Sequence, residues 1–105
     1  MELRRFNRAP IDHTLLFVKK GGDEFIEGLG RDISLGGMFI ETELPAEFNA
    51  ELVIHLTLDE DGAEYALPAI VRWTRPGGMG IQFRQLGARE TYAITAIVRR
   101  HEESR

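Results

Sequence analysis

Two short stretches carry the residue types that could recognise a polar ligand. Arg4, Arg5 and Arg8 fall together in "RRFNR", and Asp32, Ser34, Gly36 and Gly37 crowd into "DISLGG". Arg4 and Arg8 are four apart, a spacing that puts them on one side whether the segment is extended or a helical turn; only Arg5 changes sides between the two. A guanidinium group presents a planar fork of donors suited to phosphate oxygens or to the O6 and N7 edge of guanine, and it stacks on flat rings. In an extended segment Asp32 and Ser34 share a face while Ile33 and Leu35 point to a core. An ionised Asp only accepts, so its natural partners are paired N–H donors such as the N1 and N2 edge of guanine, and a Ser hydroxyl can donate to N7 or to a phosphate oxygen. Gly36 and Gly37 permit positive φ and close approach of backbone to a ligand.

Each stretch also has an architectural reading. Arginines near a chain end are commonly solvated charge. An Asp and a Ser followed by two glycines also describe a turn in which both side chains bond nearby backbone N–H groups.

The composition narrows the partners. The 105 residues hold 13 Lys and Arg against 17 Asp and Glu, a formal charge of −4, which argues against a nonspecific nucleic-acid binder. Positive charge gathers at Arg4, Arg5 and Arg8 while acidic residues spread across the middle, a better match to a small compact anion than to a long polyanion. A chain of this length has room for one domain with a modest core. With no cysteine there are no disulfides, thiolate nucleophiles or usual structural zinc sites, as suits a cytoplasmic protein. In the first twenty residues the longest apolar run, Leu15 to Val18, is too short for a signal segment or a membrane span, so no membrane insertion is expected.

Other chemistry finds little support. "DEDG" at Asp59 to Gly62 resembles the start of a calcium loop but lacks its later ligands and bidentate Glu, which leaves a hairpin turn. His13, His55 and His101 have no metal-ligand spacing. Ser34 lacks the glycines of a nucleophile elbow, and phosphate-loop and dinucleotide fingerprints are missing. No catalytic activity, metal or cofactor is expected.

The elements that must position the two stretches are mainly strands. Segments Ile11 to Lys19, Glu24 to Ile33, Gly37 to Glu43, Glu51 to Leu58, Glu64 to Arg75 and Met79 to Gln85 read as strands, separated by turn chemistry at "KKGGDE", "ELPAEFN", "DEDGAE" and "RPGG". "ELVIHLTL" alternates most clearly, with Leu52, Ile54, Leu56 and Leu58 on one face. In "YALPAIVRW" the alternation puts Trp73 with Val71 and Ala69, and Pro68, which cannot donate to a ladder, points to an edge or a bulge. Trp73 is therefore either a core residue or a flat stacking surface at the rim for a base. After Gly87 the period changes, and Glu90, Ala93, Ile94, Ile97, Val98 and His101 fall at helical spacing, with Arg99 and Arg100 near the dipole's negative end. Six short strands and one helix predict a small antiparallel barrel closed or capped by that helix.

The two motifs in this order and at this separation resemble the PilZ domain family, in which an N-terminal R-x-x-x-R and a later D-x-S-x-x-G form a cyclic di-GMP site. Here the first is Arg4, Arg5, Phe6, Asn7, Arg8 and the second Asp32, Ile33, Ser34, Leu35, Gly36, Gly37, with every defining position filled. "GGMFIET", "AIVRW" and "GMGIQF" are similar to the family's strand segments, so nearly the whole chain is covered. The resemblance implies one domain over residues 1–105: a ligand-binding arm (1–9), a six-stranded antiparallel β-barrel (10–86) and a C-terminal helix (88–101). It implies that Arg4 and Arg8, with Arg5 as a further contact, hold phosphates and guanine edges, that Asp32 and Ser34 read a guanine, and that Gly36 and Gly37 let the backbone come close. Leu3 stands where some relatives carry another Arg that stacks on a second ligand, which favours one ligand molecule per site. The expected protein is a cyclic di-GMP receptor that acts on an unidentified downstream partner; the alternative is an interaction module of the same fold that binds no nucleotide.

Overall fold

The computed structural model describes residues 7–58 and 62–104. Arg4 and Arg5 lie outside the described residues. The elements run β1 (His13–Lys19), β2 (Ile26–Arg31), β3 (Gly37–Glu41), β4 (Glu51–Thr57), β5 (Glu64–Arg75), β6 (Gly78–Phe83) and α1 (Ala88–Glu103). The strands form one closed barrel in the order β1-β2-β3-β6-β5-β4, and β4 returns to β1 through Leu16↔His55 and Phe17↔Ile54. All neighbours are antiparallel. The six-stranded antiparallel barrel with a terminal helix is thus as the sequence pattern predicts.

The interior is filled by the alternate residues that the sequence marks out. Leu15 and Phe17 of β1, Met38 and Ile40 of β3, Leu52, Ile54 and Leu56 of β4, Leu67, Ala69 and Val71 of β5, and Met79 and Ile81 of β6 are all buried. Each large apolar side chain so buried contributes about 1.5–3 kcal/mol. A six-stranded barrel is narrow, and β2 supplies the space: a Cβ on Gly28 would lie 2.7 Å from Ile40 Cγ2, and one on Gly30 would lie 2.8 Å from Met38 Sδ.

Two irregularities shape the wall. A register shift in the β5–β6 ladder falls between Val71 and Trp73, and the extra residue, Arg72, turns Trp73 out of the core parity that alternation gives it. Pro68 is inside β5, opposite Val53. Its carbonyl accepts from Arg84 N at 2.8 Å, just beyond the end of β6, so the N–H that proline lacks would have pointed past a strand end. This is a local edge within a closed barrel.

In antiparallel order, the β2–β3 and β4–β5 connections share one mouth of the barrel. The β1–β2, β3–β4 and β5–β6 connections share the other. Helix α1 belongs to the first mouth. Its Ala93, Ile94 and Val98 are buried in the common core, and Arg89 near its start donates to the carbonyl of Glu64 at 3.1 Å and lies 4.0 Å over the Tyr65 ring. Among the described residues no helix is long and apolar enough to cross a membrane.

Candidate ligand site

Strand β2 ends at Arg31 because Asp32 adopts a left-handed backbone, with φ 54. That conformation is open to few residues besides Gly, Asn and Asp. It leaves the β2 ladder, so the expected extended strand through Ile33 is shortened, and Asp32 and Ser34 do not stand side by side on one strand face. Ile33 pairs instead with the arm: Ala9 N donates to Ile33 O at 2.8 Å and Ile33 N to Ala9 O at 2.9 Å. Both side chains are buried, which fixes the root of the arm against the middle of D-x-S. Arg8 immediately precedes the bridge on one strand, and Asp32 and Ser34 flank it on the other.

Arg8 and Asp32 are exposed beside this bridge. Among the described residues neither charged group has an ion-pair partner. Neighbouring Arg31, by contrast, is committed, with Nη1 2.9 Å from Glu41 Oε2. An uncommitted guanidinium and an uncommitted carboxylate, tied to one hydrogen-bonded bridge, offer donors for an anion and an acceptor for paired N–H groups.

Ser34 takes a different place from the one its chemistry suggests. It is 0% exposed, and its Oγ accepts from Gly36 N at 3.1 Å and Gly37 N at 3.3 Å. Ser34 N in turn donates to Gly37 O at 2.9 Å. The hydroxyl is therefore the internal fastening of the β2–β3 loop, the turn-forming reading of an Asp-Ser-Gly-Gly cluster.

The glycines also differ from expectation. Neither Gly36 nor Gly37 has positive φ. Gly37 is required by the wall: a Cβ there would overlap the carbonyl oxygen of Ile81 and meet Gln82 Cα at 3.0 Å. Its close approach is to the backbone of β6. Gly36, also buried, accepts from Phe83 N at 2.9 Å, so both glycines seat the loop on β6.

Trp73 lies on the outer wall, 41% exposed. It stacks on Phe39 at 5.5 Å between centroids and 17° between planes. Its indole covers Gly80, where a Cβ would come within 2.6 Å of Trp73 Cζ2. Arg75 completes the stack, 4.7 Å from the Phe39 centroid and 5.7 Å from that of Trp73. Phe39 shares the outward parity of Gly37, two residues earlier, so the ring pair begins one step along the wall from the motif loop. The partners Ala9, Ile33, Phe39 and Gly80 are not apparent from the motifs alone. The only sequence signal for the ring pair is the alternation of "GGMFIE", which turns Phe39 outward with Gly37 and Glu41.

A six-stranded antiparallel barrel with a terminal helix, carrying both sequence motifs, defines a class of small β-barrel domain. The PilZ domain family model matches residues 2–104, and the chain belongs to that family, a family of cyclic di-GMP receptors. The chain is 30% identical over 95 residues to the cellulose synthase catalytic subunit (UDP-forming) of Xanthomonas axonopodis pv. citri, covering 90% of this chain but only 13% of that protein. Among solved structures it is similar to the PilZ domain of CeSA from a cellulose-synthesising bacterium, with TM-score 0.73 and 22% identity over 90% of this chain and 97% of that one. It is also similar to the Bacillus subtilis inhibitor of motility MotI, with TM-score 0.83 and 18% identity over 100% of this chain and 54% of that one. K. pneumonia MrkH gives TM-score 0.69 and 21% identity over 93% and 47%. At these identities the structural likeness concerns the fold.

Proposed function

We propose that this chain is a non-catalytic cyclic di-GMP receptor of the cytoplasm, in which the arginine arm closes over a ligand held against the β2–β3 loop. The observation that carries the reading is the Ala9–Ile33 bridge, which joins the end of R-x-x-x-R to the centre of D-x-S. Arg8 supplies the fork for phosphate or for a guanine edge, joined by Arg4 and Arg5 as the motif implies. Asp32 accepts from the N1 and N2 donors of guanine. Ser34, Gly36 and Gly37 act through the loop they shape, and Trp73 offers an aromatic face further along the same wall. Ordering the arm on ligand changes the surface offered to a downstream partner.

Calorimetric titration with cyclic di-GMP tests the proposal. Saturable binding of one ligand molecule per site is expected. A hydrogen bond to a charged group is worth about 1.5–3 kcal/mol, so Arg8→Ala should weaken binding by about one to two powers of ten. Equal affinity of parent and Arg8→Ala would contradict the assignment.

One observation favours a second reading. Because the Ser34 hydroxyl and both motif glycines are engaged within the protein, the second motif has a sufficient architectural role without nucleotide, as in an interaction module of the same fold. The same titration separates the two, since that module gives no heat with cyclic di-GMP.

A further inference from the structure

The mouth of the barrel away from both motifs opens into a cavity of about 1010 Å³. Its floor and walls include Phe17, Ile26, Leu44, Pro45 and Ala46. Above it the β3–β4 loop exposes two large apolar side chains, Leu44 at 63% and Phe48 at 60%. This loop is anchored: Leu44 N donates to Thr42 Oγ1 at 3.2 Å and Asn49 N to Val71 O at 2.9 Å. A fastened loop that still directs Leu44 and Phe48 into water leaves apolar surface that a partner can cover.

Charge at the rim selects the partner. Of the two cations lining the cavity, Lys19 is paired with Glu47 at 2.6 Å, while Arg75 lies over the neutral Phe39 ring and keeps its charge. Asp23 and Glu24 line the same cavity, while Glu27 and Glu43 line the adjoining groove, which shares Ile26 and Leu44 with it. Among the described residues none of these four carboxylates has an ion-pair partner. An apolar opening bordered, among the described residues, by four unpaired carboxylates against one unpaired cation carries an excess of negative charge, which complements a segment with apolar anchors between Lys or Arg residues and repels an anionic membrane surface.

We propose that this mouth is a docking site for such a basic, amphipathic segment of a partner protein. It lies at the opposite end of the barrel from the Ala9–Ile33 bridge, so the segment and a ligand at the motifs can be held together. This inference stands independently of what binds there.

The test uses short labelled peptides of equal length in fluorescence anisotropy. One carries Leu and Phe anchors with Lys and Arg flanks, one the same anchors with Glu flanks, and one the basic flanks with Ser in place of the anchors. Only the first should bind, more weakly as salt rises. Leu44→Asp should weaken it by about tenfold or more, as loss of a central anchor does, and the double variant Asp23→Lys, Glu24→Lys should weaken it while strengthening the Glu-flanked peptide. Thermal unfolding of Leu44→Asp should match the parent because the side chain is exposed. Cyclic di-GMP titrations of these variants should also match the parent, which separates failure here from failure of the proposed ligand site. Equal binding of the Glu-flanked peptide, absence of binding by all three, or insensitivity to Leu44→Asp would overturn the proposal. So would concentration-dependent self-association of the parent that Leu44→Asp removes, since a second copy would then be the occupant.

Discussion

Replacing Ser34 by Ala removes a hydroxyl that no solvent reaches and two backbone N–H groups depend on. Gly36 N and Gly37 N lie 3.1 and 3.3 Å from Ser34 Oγ, in residues that are themselves buried. A buried donor left without an acceptor costs about 1–3 kcal/mol. Both bonds are long, so the lower half of that range applies to each, and the pair gives a loss of about 2–4 kcal/mol. In a domain near 100 residues each kcal/mol lowers the melting temperature by about 4–8 °C, which puts the expected fall at about 8–32 °C. Differential scanning calorimetry of parent and Ser34→Ala reads it directly. If Ser34→Ala melted within about 2 °C of the parent yet bound cyclic di-GMP far more weakly, the hydroxyl would be a ligand contact, and the fastening role argued from its burial would be refuted.

Asp32→Asn preserves shape and the left-handed backbone while removing the charge. The unfolding free energy should change by less than about 0.5 kcal/mol, whereas cyclic di-GMP affinity should drop by about ten- to a hundredfold, measured by denaturant titration and calorimetry. Gly80→Ala drives a methyl into the seat of the indole; the chain has one Trp, so a shift in its emission reports the displaced ring, and unchanged emission would contradict the packing described. At Glu47 the hydrogen bond and charge of Lys19 hold the carboxyl below its ordinary value of 4.5. The folded pKa is the lower one, so this pair's small stabilisation is present above the ordinary value and is lost as pH falls through the folded one. Carboxyl carbon NMR titration should find Glu47 depressed in the parent and returned toward 4.5 in Lys19→Ala.

The barrel was legible because β4 and most of β5 alternate strictly and each connection carries turn residues. The end of β2 was not, since period-two reasoning runs through Ile33 and nothing in the pattern marks that Asp32 takes φ 54. The outward turn of Trp73 depends on a bulge at Arg72, a ladder property with no one-dimensional signature. At the site, residue types singled out two stretches that the structure joins through Ala9 and Ile33, but they did not divide the labour among the residues. Exposed Arg8 and Asp32 are available as chemistry suggested, whereas Ser34 and Gly37 meet their partners inside the wall, in β6 and in their own loop. Burial separates these roles, and at Ser34 and Gly37 it accompanies the seating of their loop on β6, through Phe83 N to Gly36 O and the close approach of Gly37 to Ile81, contacts distant in sequence.

Backbone amide NMR of the whole chain during addition of cyclic di-GMP tests the central claim most directly. The account predicts large shifts confined to residues 4–9 and 31–37, with a smaller shift of the Trp73 indole N–H. Shifts centred on residues 22–26 and 44–48, or none at saturating nucleotide, would contradict it.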